Sequence, residues 1–68
     1  MFSQTVQDAI NEQINNELMA SYAYLAMSCY CDRQNFLGAA SWLRIQSEEE
    51  YGHAMRLLEF LLARNGTI

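Results

Sequence analysis

The apolar residues of this chain recur at helical spacing along almost its whole length. Proline is absent and glycine occurs only at positions 38, 52 and 66, so little interrupts a helix. The polar stretch at residues 32–35 is the one plausible turn. We predict helix 1 over about residues 3–33 and helix 2 over about 36–64. Ser3 or Thr5 is the expected N-cap of helix 1, and Asn65 with Gly66 is the expected stop of helix 2.

Two long helices joined by a short turn must run antiparallel, so the predicted fold is all-α, a two-helix antiparallel hairpin. We treat residues 1–68 as a single domain. A chain of 68 residues buries too little apolar surface to be comfortably stable alone. Pairing two hairpins about a twofold axis would enclose one four-helix core. The expected partner is therefore a second copy of the chain, in a homodimer or larger homo-oligomer.

Two glutamates fall on apolar helix faces. At about 100° per residue, Glu17 lies at the centre of one stripe and Glu50 at the centre of another. A buried carboxylate is costly unless it is paired or binds a metal. Other glutamates fall off the stripes and are predicted to be solvated surface charges; these are Glu12, Glu48 and Glu59.

Glu17, Glu50 and His53 lie at similar distances from the turn of the hairpin. Counted back from the turn, Glu17 lies ~26 Å away, Glu50 ~24 Å and His53 ~28 Å. Glu50 and His53 form a Glu-x-x-His motif, whose spacing puts both side chains on one side of a helix. Two carboxylates and one imidazole suit iron or manganese, and zinc less exclusively. The alternatives are a hydrogen-bonded core histidine and a carboxylate satisfied by Tyr24 or an amide.

The charge, hydropathy and cysteines of the chain argue against several classes of protein. The formal net charge is −4, with four arginines and no lysine, which argues against a nucleic-acid partner. No apolar run approaches 18 residues and no signal peptide is evident, so neither a membrane span nor secretion is indicated. Cys29 and Cys31 point about 200° apart on a helix and cannot bridge, so we expect buried small side chains rather than ligands. A reducing, cytoplasmic location is the default.

Several segments in order resemble a known family. They are Glu17 with 22–28, then 36–40, then 48–54 and 64–66. In order and spacing they resemble the opening two helices of a bacterial-type non-haem ferritin, and the resemblance covers nearly the whole chain. It implies half of a ferritin-like four-helix bundle.

The resemblance also implies roles for individual residues. Glu17 would be a terminal iron ligand, Glu50 the carboxylate bridging two irons and His53 the nitrogen ligand. Tyr24 would be the phenol beside the centre, and Glu49 would serve an accessory iron position. The implied function is iron storage and detoxification, with ferroxidase oxidation of Fe²⁺ by O₂ or peroxide at a di-iron site.

Some features depart from the family. The two further helices that complete the ferritin bundle are not in this sequence, so a second chain would have to supply the other half of the site. The alternatives are a truncated ferritin segment with an inactive site and a helical dimerisation module whose polar residues fix register. Haem-binding relatives carry a methionine where Tyr51 stands, so no haem is expected. Gly52 weakens helix 2 by about 1 kcal/mol, and we expect a neighbour to approach it closely.

Overall fold

The computed structural model describes residues 3–68. Two helices make up nearly all of this range, α1 over Gln4–Arg33 and α2 over Leu37–Ala63. Their extent of 49 × 16 × 11 Å matches the ~45 Å length of a helix of 30 residues. The all-α prediction is confirmed, since residues 3–68 contain no strand. Neither helix in this range is both long enough and apolar enough to cross a membrane.

Helix α1 begins at a serine cap. The backbone N–H of Val6 donates to Ser3 Oγ at 3.2 Å, which satisfies one of the free amides of the first turn. Of the two predicted N-caps, Ser3 is therefore the correct one, and Thr5 lies inside the helix.

Each helix is followed, two residues after its last residue, by an asparagine in the left-handed region. The φ angles are 64° at Asn35 and 62° at Asn65. After each, a backbone amide donates to the carbonyl five residues earlier, at 2.8 Å from Phe36 to Cys31 and 2.9 Å from Gly66 to Leu61. This is the Schellman arrangement, and an asparagine tolerates its positive φ better than most residues. The sequence-predicted turn and stop both lie at these asparagines.

Gly66 is required by close approach rather than by its φ. A Cβ added at this position would lie 2.7 Å from Leu61 Cγ, and Leu61 is fully buried. Gly52 is different, because a Cβ added there would meet nothing within 4 Å among the described residues. The predicted close neighbour of Gly52 is therefore wrong within this hairpin, because the glycine does not face α1.

The helices meet along a strip of residues that recur every seven positions, the period of a coiled-coil contact. The strip consists of Ile14, Ser21 and Ser28 on α1 and of Ala40, Ser47, Ala54 and Leu61 on α2. Apart from half-buried Ser21, all of them are buried. Because most of these side chains are small, the two backbones approach closely enough for side-chain hydroxyls to reach backbone carbonyls of the other helix.

Three serine hydroxyls form hydrogen bonds between the two helices along this strip. Ser21 Oγ donates to the Ser47 carbonyl at 2.8 Å, and Ser47 Oγ donates to the Ser21 carbonyl at 2.7 Å. We call this reciprocal pair the serine clasp. Nearer the turn, Ser28 Oγ donates to the Ala40 carbonyl at 2.6 Å. These bonds fix the antiparallel register of the two helices, since a slip by one residue would break all three.

The stripe predicted to be buried around Glu17 and Glu50 is only partly covered. Their side chains are 17% and 23% exposed, and Val6, on the same stripe as Glu17, is 44% exposed. The prediction that the two glutamates lie at the centre of the buried face is therefore wrong for the single hairpin. They lie at the edge of the seven-residue strip, because two helices bury only the surface between them.

Much apolar surface stays in contact with solvent. The chain exposes 5001 Å², whereas a compact monomer of this mass would expose about 4,400 Å². The exposed side chains include large ones that lie about 20° around the helix from Glu17 or His53, namely Val6, Trp42 and Phe60. The hairpin thus has one strip of packing and a second apolar face that nothing within residues 3–68 covers.

Candidate metal centre

The serine clasp sets the position of the two half-buried glutamates. Ser21 lies one helical turn after Glu17 on α1, and Ser47 lies one turn before Glu50 on α2. Because the clasp ties Ser21 and Ser47 to each other, it also holds Glu17 and Glu50 opposite one another. The Glu-x-x-His spacing then adds His53 on the same side of α2.

These three side chains converge. His53 Nδ1 lies 3.3 Å from Glu17 Oε2 and 3.8 Å from Glu50 Oε2. One ligand atom from each residue lies within 4.8 Å of the others, and residues 3–68 contain no other such group of histidine, cysteine, aspartate or glutamate. The structure therefore brings together the three residues that the sequence placed at one height.

The geometry is close to that of a metal site. Two ligand atoms bound to one ion at ~2.1 Å lie at most ~4.2 Å apart, so only small side-chain movements are needed to meet around a cation. Two carboxylate oxygens and one imidazole nitrogen form a hard to borderline donor set, which fits divalent iron, manganese or zinc. The donor chemistry of the cluster thus fits the predicted iron.

The carboxylates of Glu17 and Glu50 shift each other's pKa in opposite directions. A hydrogen bond with Glu17 raises the pKa of Glu50, and burial and the negative charge of Glu17 raise it further. The same hydrogen bond with Glu50 lowers the pKa of Glu17, as does a second hydrogen bond from Gln13. Glu50 therefore keeps its proton to a higher pH than Glu17 does. A cation bound between the carboxylates would take the place of that proton.

Gln13 is a neighbour of the site that the sequence analysis missed. Its Nε2 donates to Glu17 Oε1 at 2.8 Å. The available signal was the i, i+4 spacing of Gln13 and Glu17 on one helix face. The metal-ligand pattern does not include it, because the Gln13 amide holds a ligand in place and is not itself one of the ligands.

The cluster opens onto a groove of about 570 Å³ on the surface of the hairpin. The side chain of His53 is 45% exposed, so it is the most accessible of the three. The lining residues are Gln13, Glu17, His53, Arg56, Leu57 and Phe60. A cation could therefore reach the cluster directly from solvent in the single hairpin.

Tyr24 and Glu49 stand apart from the cluster. Tyr24 is half-buried, and no hydrogen bond joins it to Glu17 in the described part of the chain. Glu49 is exposed, and its negative charge contributes to raising the pKa of Glu50. Their roles beside the centre and at an accessory position stay predictions.

The two cysteines are also outside the cluster. Both are free thiols, as the helical spacing predicted. Cys29 is exposed, so the prediction that it is a buried small side chain is wrong, whereas Cys31 is half-buried. The seven-residue strip explains this, because it brings Ser28 rather than Cys29 against α2.

The chain is similar to ferritins in sequence and in structure. It is 46% identical over 66 residues to a bacterial non-heme ferritin of Bacteroides fragilis, and 34% identical over 61 residues to one of Staphylococcus aureus. These matches cover 97% and 90% of this chain but 42% and 37% of the relatives. The chain thus spans about two fifths of the length of the curated relatives it matches.

The fold of the hairpin is also similar to that of solved ferritin structures. The hairpin superimposes on an Archaeoglobus fulgidus ferritin engineered into a closed form with a TM-score of 0.95 and 37% identity, covering 100% of this chain and 42% of the ferritin. An open-pore ferritin of the same archaeon gives a TM-score of 0.94. The ferritin-like domain model of the Ferritin family matches residues 7–68. This chain belongs to the ferritin-like family, and it corresponds to a two-helix part of the ferritin bundle.

Proposed function

We propose that the chain binds Fe²⁺ through Glu17, Glu50 and His53 and serves iron storage and detoxification as a ferroxidase. The observation that carries this proposal is the convergence of one ligand atom from each of the three residues within 4.8 Å. Membership of the ferritin-like family supports iron as the metal, because the donor set alone also fits manganese and zinc.

A single hairpin offers three protein ligands, which suffice for one ion. A second copy related by a twofold axis would bring the total to four carboxylates and two histidines, the ligand inventory of ferritin-like di-iron bundles. The uncovered apolar face lies on the same side of the hairpin as His53, which is the side that this pairing would cover. Trp42, 58% exposed, precedes His53 by eleven residues and so lies about 20° from it around α2.

In this assembly two Fe²⁺ ions are the substrate. Each loses one electron, and one O₂ accepts both electrons with two protons to give hydrogen peroxide; peroxide can serve as the oxidant in place of O₂. The protein's task is to hold the two ions close together, with the two Glu50 carboxylates shared between them. Hard carboxylate oxygens stabilise the ferric product over the ferrous substrate, which favours oxidation.

Anaerobic titration of Fe²⁺ into ligand variants tests the binding step. Glu50→Ala should lose more affinity than His53→Ala, because each Glu50 would contact both ions while each His53 contacts one. Glu59→Ala is the matched control, since this exposed glutamate on the same helix is outside the cluster. Equal losses for Glu50→Ala and Glu59→Ala would refute the site, and a larger loss for His53→Ala than for Glu50→Ala would refute the bridging role.

The second candidate is a ferritin segment that is a structural piece with an incomplete, inactive site. It is favoured by the short coverage of the relatives, 42% of the Bacteroides fragilis protein. The two candidates differ in stoichiometry. Two irons per pair of chains with oxidation faster than in buffer supports the ferroxidase, whereas no more than one weakly bound ion per chain and no acceleration supports the structural segment.

A further inference from the structure

We infer that Gln13 is a positioning residue for the metal centre, which holds Glu17 so that a single oxygen, Oε2, faces the cation. This inference rests on the proposed metal site and adds a residue to it. Gln13 does not touch the cation and acts only through Glu17.

The two oxygens of Glu17 have different surroundings. Oε1 accepts a hydrogen bond from Gln13 Nε2 at 2.8 Å, whereas Oε2 lies 3.3 Å from His53 Nδ1. Because the Gln13 amide occupies Oε1, the carboxylate cannot rotate freely about its terminal torsion, which is otherwise broad. Oε2 is thereby directed to the point where Glu50 and His53 also converge.

The chemistry of an amide suits this task. An arginine or lysine at position 13 would also donate to Oε1, but its positive charge would repel the cation. An amide donates without adding charge, and its donor state does not change with pH. The hydrogen bond is charge-assisted, because Glu17 is ionised, and such bonds are stronger than neutral ones. Residues that orient a ligand in this way typically affect metal affinity about 10- to 100-fold.

The chain carries a matched control for this interaction. Gln4 Nε2 donates to Asp8 Oδ1 at 2.8 Å, with the same i, i+4 spacing on the same helix. Neither Gln4 nor Asp8 belongs to the metal cluster. If the Gln13–Glu17 hydrogen bond only stabilised α1, removing it should have the same effect as removing the Gln4–Asp8 hydrogen bond.

The test compares Gln13→Met and Gln4→Met with the parent chain. Methionine keeps an unbranched side chain of similar length and good helix propensity but lacks the donor. Anaerobic titration with Fe²⁺ should show about a tenfold or greater loss of affinity for Gln13→Met and less than a twofold loss for Gln4→Met. Melting temperatures without metal should shift by the same small amount in both variants, whereas the increase on adding Fe²⁺ should shrink only in Gln13→Met.

Infrared difference spectra of the Fe²⁺-loaded chain give an independent readout. In the parent, the splitting between the two carboxylate stretches should include a component typical of single-oxygen binding. This component should weaken in Gln13→Met, because Oε1 becomes free to join Oε2 on the cation. If the parent binds Fe²⁺ and Gln13→Met binds it within twofold with the same spectrum, the positioning role is refuted while the metal site stands. If the parent does not bind Fe²⁺, both are refuted.

Discussion

Replacing Ser47 with alanine should weaken the hairpin and disturb the candidate metal centre together. Ser47 is buried, and its hydroxyl donates to the Ser21 carbonyl at 2.7 Å. That carbonyl keeps its own helical partner, so the loss is one hydrogen bond and not an orphaned polar group. Such a bond contributes about 1 kcal/mol. Removing Ser21 Oγ as well deletes the second bond of the clasp, so the double variant should lose about 2 kcal/mol.

Alanine also favours a helix over serine by a few tenths of a kcal/mol, which would mask part of the effect. Ser41→Ala supplies that correction, because Ser41 is an exposed serine in α2 outside the clasp. The difference between Ser47→Ala and Ser41→Ala, measured by urea unfolding at equal protein concentration, should be about 1 kcal/mol or more, equivalent to a fall in Tm of ~4–8 °C. Equal stability of the two variants would show that the clasp contributes nothing, and our account of the helix register would be wrong.

Three further outcomes are expected. Gly66→Ala should cost about 1–3 kcal/mol because its methyl group would overlap a buried leucine, whereas Gly52→Ala should stabilise the helix by ~0.8–1 kcal/mol; thermal melts that reversed this order would contradict the packing. Trp42→Glu should abolish self-association and aerobic Fe²⁺ oxidation, while Tyr51→Glu on the opposite side of α2 should keep both, by sedimentation and stopped-flow absorbance. Raising the pH should tighten Fe²⁺ binding, because the raised pKa of Glu50 lets a proton compete with the cation for its carboxylate up to a higher pH than usual. Calorimetry that showed no proton release on Fe²⁺ binding would exclude this.

Local signals in the sequence predicted the fold well. The absence of proline and the asparagines at the two helix ends marked where the helices run and stop, because these features act within a few residues. The heights of Glu17, Glu50 and His53 also followed from helical rise alone. Convergence of these side chains needs no knowledge of packing beyond the antiparallel arrangement that a short turn imposes.

The contact strip was harder to predict, and the reason is physical. Each helix has two faces to bury, one against the other helix and one toward whatever covers the open side of the hairpin. The hydrophobic pattern of the sequence contains the apolar residues of both faces at once. The stripe centred on Glu17 is therefore an average that lies between the face toward the other helix and the open face. The true contact line runs through Ser21, Ser28 and Ser47, which count as polar in any pattern although their hydroxyls are satisfied by facing carbonyls.

The half-burial of the glutamates links assembly to metal binding. A partner covering the open face would remove Glu17 and Glu50 from water, which is unfavourable for two adjacent carboxylates unless positive charge joins them. A cation supplies that charge, so under the proposed function the paired state should bind iron more tightly than the single hairpin. By thermodynamic reciprocity, bound iron must favour pairing by the same factor. Under the same proposal, the open groove at His53 would let iron enter each hairpin from solvent before pairing, and pairing would then close the site around it.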